Sequence, residues 1–123
     1  MKTETVSGVE LQVLTPEEVK ERLDRDEIVL IDVRTPAEYS FEHIAGAMLF
    51  PMSSFDPGKL PVQTGKPIVF HCGSGIRSKA IADRCAQAGI APLAHMGGGF
   101  NAWKADKLPY SAIDPATGAV VSR

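Results

Sequence analysis

The chain has 123 residues, enough for one ordinary domain with one core. Apolar residues make up 44%, charged residues 23%, and the net charge is −2; this reads as a soluble globular chain and offers no basic field for nucleic acid or an anionic membrane. No apolar run approaches the ~20 residues of a membrane span. The opening MKTETVSGVELQV lacks the apolar core of a signal peptide, so two cysteines point to reduced thiols and the expected compartment is the cytosol (a cytoplasmic protein).

In chain order, residues 14–26 open with Thr15 as N-cap, Pro16 at the first helical position and Glu18 at the third, the pattern of a capping box. Val19 and Leu23 form the buried stripe of that helix. Residues 27–34, EIVLIDVR, are a continuous apolar run, as in a strand covered on both faces. Residues 35–43 repeat the Thr-Pro helix start, and 44–52 suggest a short strand ended by Pro51. Residues 53–66 are turn-rich, with room for a single helical turn. PIVFHC, 67–72, is a second buried strand, and 76–89 a helix capped by Gly89. A short strand follows at 92–96 and a short helix at 98–109, stopped by Leu108-Pro109. The tail, 110–123, reads as a weak hairpin or an arm. Strands alternating with helices predict an α/β layer fold with a largely parallel central sheet flanked by helices on both faces.

The stretch VFHCGSGIRSKA carries the chemistry. Ligands of parallel sheets bind at the carboxyl ends of strands, and Cys72 stands at such an end, just before a helix. A helix N-terminus offers free N–H groups and partial positive charge. Gly73 and Gly75 let successive amides turn inward, and Arg77 adds a full charge. All of these favour a thiolate over a thiol. The bland alternative is a buried strand-end cysteine. Ser78 reads as a helix cap.

HCGSGIRS nearly matches the protein tyrosine phosphatase pattern His-Cys-x-x-Gly-x-x-Arg-Ser/Thr, but only Gly73, Ser74, Gly75 and Ile76 separate Cys72 from Arg77. The shorter loop resembles that of the rhodanese (sulfurtransferase) domain. LIDVRTPAEYSFEHIAGAMLFP resembles that family's Asp-Val-Arg, Glu-Tyr/Phe and Gly-His-Ile-Pro-Gly-Ala stretch, with Glu42 and Ala45 in place of the Gly and Pro. MGGGFNAWKADKLP resembles its closing Gly-Gly-x-x-x-Trp-x-x-x-Gly-x-Pro, with Lys107 in place of the last glycine. The resemblance implies a single rhodanese-like domain over residues 10–110, with 111–123 as a tail. It implies that Cys72 is the nucleophile and that Gly73, Ser74, Gly75, Ile76 and Arg77 cradle one sulfur atom. The implied reaction takes a sulfane sulfur from a donor such as thiosulfate onto Cys72 as a persulfide and passes it to cyanide or a thiol acceptor. It requires no metal and no organic cofactor. Arg77 either steers the anionic donor or pairs with a carboxylate and braces the loop.

Asp32, Arg34 and Phe55 are possible residues of the pocket rim; for Asp32 and Arg34 the alternative is an ion pair tying the strand end to a neighbouring loop. His43 reads as a hydrogen-bonding turn residue. Alternation points His71 away from the Cys72 side chain, and the three histidines show no metal-ligand spacing. MGGGF lacks the Lys-Ser/Thr ending of a phosphate loop and suits close packing beside the Cys72 loop. Phe100, Trp103 and Cys85 read as core. Two other functions stay open: a phosphatase or arsenate reductase of related fold, and a module that recruits partners.

Overall fold

The computed structural model describes residues 1–123. Strands β1 (Lys2–Val6) and β2 (Val9–Leu14) form an antiparallel hairpin turned by Ser7 and Gly8, both at positive φ, as a two-residue hairpin turn requires. Helix α1 (Pro16–Asp24) starts on Thr15. The Glu18 amide donates to Thr15 Oγ1 at 3.1 Å and the Thr15 amide to Glu18 Oε1 at 3.0 Å, closing the expected capping box. Strand β3 (Val29–Asp32) precedes helix α2 (Pro36–Phe41), where Thr35 and Glu38 repeat the box. Two-residue strands β4 (Glu42–His43) and β5 (Met48–Leu49) follow, then two 3-10 turns, Met52–Ser54 and Pro57–Lys59. Strand β6 (Ile68–His71), helix α3 (Ile76–Gln87), strand β7 (Leu93–Met96) and helix α4 (Gly99–Ala105) complete the alternation, and β8 (Ser111–Ile113) and β9 (Val120–Ser122) close the chain.

The main sheet runs β1-β2-β7-β6-β3-β5, parallel throughout except for the edge hairpin. Strands β6 and β3 are adjacent interior strands of it, and their alternate residues face opposite layers. Ile31, Phe70 and Cys72 pack with Ile81 and Cys85 of α3. Leu30 and Val69 pack on the other face with Val19 of α1 and Phe100 and Trp103 of α4. Trp103 is fully buried and its Nε1–H donates to the Pro109 carbonyl, so its indole satisfies its one donor inside the core.

Several local expectations are corrected. The strand expected over 44–52 pairs only at Met48 and Leu49. The last helix stops at Ala105 rather than at residue 109, and Lys107 then takes a positive φ of 59°. Of the two readings of the tail, the hairpin is the one found: β8 pairs with β9, and β8 also pairs with β4 in a separate three-stranded sheet. At the other end, Lys2–Val6 forms an edge strand of the main sheet.

Candidate active site

Cys72 follows β6 at the carboxyl end of the sheet, facing the α3 layer. The loop folds back so that the Gly75 amide donates to its Sγ at 3.1 Å and the Ser78 amide at 3.3 Å. This turn needs a positive φ at Gly75, which stands at 99° as the N-cap of α3. Burial by itself would raise the Cys72 pKa, but the Ser78 amide and hydroxyl and the amides of Gly75 and Ser74 outweigh it and hold the thiol below its ordinary value. Cys72 is fully covered by the loop, of which Ser74 and Ile76 are exposed.

Arg77 pairs with a carboxylate of α2. Its Nη1 donates to Glu38 Oε1 at 2.8 Å and its Nη2 to Oε2 at 3.1 Å. Of the two readings of this residue, the geometry is that of a brace: the guanidinium lies over Gly73, 3.2 Å from where a Cβ would stand, and pins the loop to α2. The Arg77 hydrogen bond is the main reason that the Glu38 carboxyl is pulled down to about 2.

The loop is also held from below. The Phe100 amide donates to the Cys72 carbonyl at 2.8 Å and the Asn101 amide to the Gly73 carbonyl at 2.9 Å. This approach leaves no space for a side chain at Gly99, where a Cβ would come within 2.5 Å of the Cys72 oxygen. The MGGGF segment therefore does pack against the Cys72 loop.

Of the three possible rim residues, Asp32 and Arg34 form the alternative ion pair and Phe55 lies in the core. Asp32 and Arg34 are buried and bonded to each other, Arg34 Nη2 to Asp32 Oδ2 at 2.8 Å and Nε to Oδ1 at 3.0 Å. The same Nη2 reaches the Glu42 carbonyl at 2.7 Å, and the guanidinium stacks 4.6 Å from the Phe100 ring centre. They tie the end of β3 to β4 and α4 because residues two apart on a strand share a face. Phe55 is buried between Phe50 and Phe70. The His43 Nδ1–H donates to the Tyr39 carbonyl at 2.8 Å, and the imidazole stacks on the Tyr39 ring. His71 is buried on the opposite face from Cys72 Sγ, and its burial lowers its pKa and keeps it neutral. Cys85 lies in the core, a free thiol pushed up to about 11 by burial.

Ser78 does not cap its helix. Its Oγ lies 2.8 Å from His95 Nδ1 and 3.6 Å from Cys72 Sγ. Sequence reasoning missed His95 as a neighbour of the loop. The signal was a polar residue in a short apolar strand: the β6–β7 register sets His95 beside Phe70, on the same face as Cys72. Beyond it opens a cleft of about 520 Å³ whose walls include Lys2, Glu4, Ser74, Gly75, His95 and Gly98. No three His, Cys, Asp or Glu side chains converge as a metal site, and no helix is long and apolar enough to cross a membrane.

Comparison with known proteins shows the family. The thiosulfate sulfurtransferase GlpE of Coxiella burnetii is 32% identical over 88 residues, covering 72% of this chain and 82% of GlpE. The uncharacterized protein slr1261 of Synechocystis is 35% identical over 96 residues, 78% of this chain. The matched part spans 54% of slr1261 and 25% of the longer "Probable adenylyltransferase/sulfurtransferase MoeZ" of Mycobacterium tuberculosis, to which it is 36% identical. In solution structure, the rhodanese-like domain of Anabaena Alr3790 superposes with a TM-score of 0.73 over 90% of this chain and 92% of that one, at 24% identity. Residues 15–106 match the rhodanese-like domain family, and the chain belongs to that family.

Proposed function

We propose that this protein is a sulfurtransferase that carries one sulfur atom on Cys72. The observation that carries the reading is the pair of amides aimed at a single Sγ, Gly75 from the four-residue loop and Ser78 from the first turn of α3. Such a ring holds a thiolate, and after transfer it faces the anionic outer sulfur of a persulfide. The Cys72 thiolate attacks the sulfane sulfur of a donor such as thiosulfate. The new S–S bond forms as the donor's own breaks, and sulfite leaves with the electron pair. A thiol or cyanide acceptor then takes the outer sulfur and returns Cys72 as thiolate. The reaction as written uses no metal or organic cofactor. Because Cys72 is covered, the loop over it shifts to admit the donor. Arg77 supports the reaction by bracing the loop through Glu38. The partners on this reading are a small anionic sulfur donor and a thiol acceptor, and the setting is a reducing compartment such as the cytoplasm.

The test is a comparison of two substrates. The wild type should transfer sulfur from thiosulfate to cyanide and should fail to hydrolyse para-nitrophenyl phosphate above the Cys72→Ser background. Inserting one glycine between Gly75 and Ile76 gives the phosphatase spacing and should abolish sulfur transfer. Phosphatase activity that depends on Cys72, without sulfur transfer, would overturn the reading.

A further inference from the structure

Cys72 is enclosed, yet it has one side-chain neighbour that leads outward. Ser78, also fully buried, sits on the first turn of α3 with its Oγ 3.6 Å from Cys72 Sγ and 2.8 Å from His95 Nδ1. His95, though almost wholly buried, lines the cleft beside Gly75. The three side chains form a file from the covered sulfur to the open cleft. We propose that His95 is the positioning residue of the nucleophile, drawing the Cys72 proton away through the Ser78 hydroxyl and holding the sulfur as a thiolate.

The step balances without any co-reactant. The Cys72 S–H bond breaks and its electron pair stays on Sγ, facing the Gly75 and Ser78 amides. Ser78 Oγ takes that proton and gives its own to His95 Nδ1, so imidazole becomes imidazolium. The imidazolium keeps that proton across the Ser78 hydroxyl from the thiolate, and each charge stabilises the other. This requires His95 to be neutral beforehand with Nδ1 free to accept. Burial favours the neutral form and lowers its pKa, while Glu4 opposes that shift and Lys79 and Lys2 add to it. Those three are the charged groups facing the ring, Lys2 and Glu4 from β1 and Lys79 from α3. Strands β2 and β6 set only Val13 and Phe70 beside it. Glu4 is itself held by Lys79 at 3.1 Å. Ser78 Oγ has a second neighbour, the Gly75 carbonyl at 3.3 Å, so the hydroxyl can swing its proton between loop and imidazole.

The inference deepens the sulfurtransferase reading and rests on it for its use, but its test does not need sulfur transfer. The rate of Cys72 alkylation by iodoacetamide, resolved by peptide mass, is followed from about pH 5 to about pH 10 in the wild type, His95→Asn and Ser78→Ala. Asparagine offers an amide oxygen near the position of Nδ1 to accept from Ser78 but cannot take a proton. Both variants should show the Cys72 profile displaced upward by about one pH unit, so about tenfold slower near neutrality, with the same plateau at high pH. Superimposable profiles, or an equal loss at every pH, would overturn the proposal. The same coupling is read without touching the histidine: Cys72→Ser should lower the NMR titration midpoint of His95, since the thiolate that stabilises the imidazolium is gone. An unmoved midpoint also overturns it. Shifted alkylation profiles in a protein that takes no sulfur from thiosulfate would uphold the proton link and reject the sulfurtransferase reading. Sulfur transfer with unshifted profiles would reject the link alone.

Discussion

Arg77 and Glu38, 39 positions apart in sequence, meet in a two-point ion pair at 2.8 and 3.1 Å. Glu38 serves twice, since its Oε1 also accepts from the Thr35 amide in the capping box of α2. The helix start and the nucleophile loop are therefore fixed by one carboxylate. Glu38→Gln keeps a capping-box side chain but removes the charge that braces Arg77. It should reduce sulfur transfer several-fold while lowering stability by no more than about 1 kcal/mol, because both side chains are more than a third exposed. The sign with pH follows from the depressed Glu38 pKa of about 2. The ionised form is favoured on folding, so the contribution is full above the unfolded value near 4.5 and fades as pH falls towards 2. Urea midpoints of wild type and Glu38→Gln should differ more at pH 7 than at pH 3; an equal difference at both would contradict the assignment.

Gly99 predicts a second effect. A Cβ there would meet the Cys72 carbonyl oxygen at 2.5 Å and Gly73 at 2.6 Å, with φ at 60°. Gly118 has a similar φ of 74° but open space around it. Gly118→Ala should cost about 1 kcal/mol from backbone strain alone. Gly99→Ala adds a clash worth a further ~1–3 kcal/mol and should displace the Cys72 loop, so that sulfur transfer is lost even where the protein remains folded. Thermal melts and turnover of the two variants check the contrast.

Much of this was legible because it is local. The two Thr-x-x-Glu boxes, the apolar runs of β3 and β6, and the strand-loop-helix around Cys72 each declare themselves within a dozen residues. What was not legible depends on partners far away in sequence. Strand β1, KTETV, is mostly exposed at a sheet edge, so it shows no apolar alternation to announce it. The carboxylate that holds Arg77 lies on another helix, and the His95–Ser78 contact depends on the β6–β7 register. For Asp32 and Arg34 the ion pair was one of two readings open in the sequence, and only the packed fold shows each satisfying the other inside it.

Lys107 is a departure that the structure explains. It stands where the family's closing motif carries glycine, and it adopts φ 59°. Glycine takes that conformation without the Cβ penalty. Lys107→Gly should therefore stabilise the protein by about 0.5–1 kcal/mol, read as a rise in Tm of a few degrees with no change in turnover. A fall in Tm would mean that the lysine makes a favourable contribution larger than its strain.

The two cysteines should behave differently. Cys85 is buried, and its thiol is pushed up to about 11. Near neutral pH, alkylation should fall on Cys72, and Cys85→Ala should keep most of the sulfur-transfer activity at a cost of about 1 kcal/mol for the small cavity. Loss of activity in that variant without loss of fold would give Cys85 a part in the chemistry that its position in the core does not suggest.

The central claim is that Cys72 carries sulfur, and intact-protein mass after incubation with thiosulfate addresses it most directly. The wild type should gain the mass of one sulfur atom, lose it on addition of cyanide, and yield thiocyanate in equal amount; Cys72→Ser, with its fold intact, should gain nothing. A wild-type mass unchanged by thiosulfate and by persulfide donors, or a gain that persists in Cys72→Ser, would contradict the account.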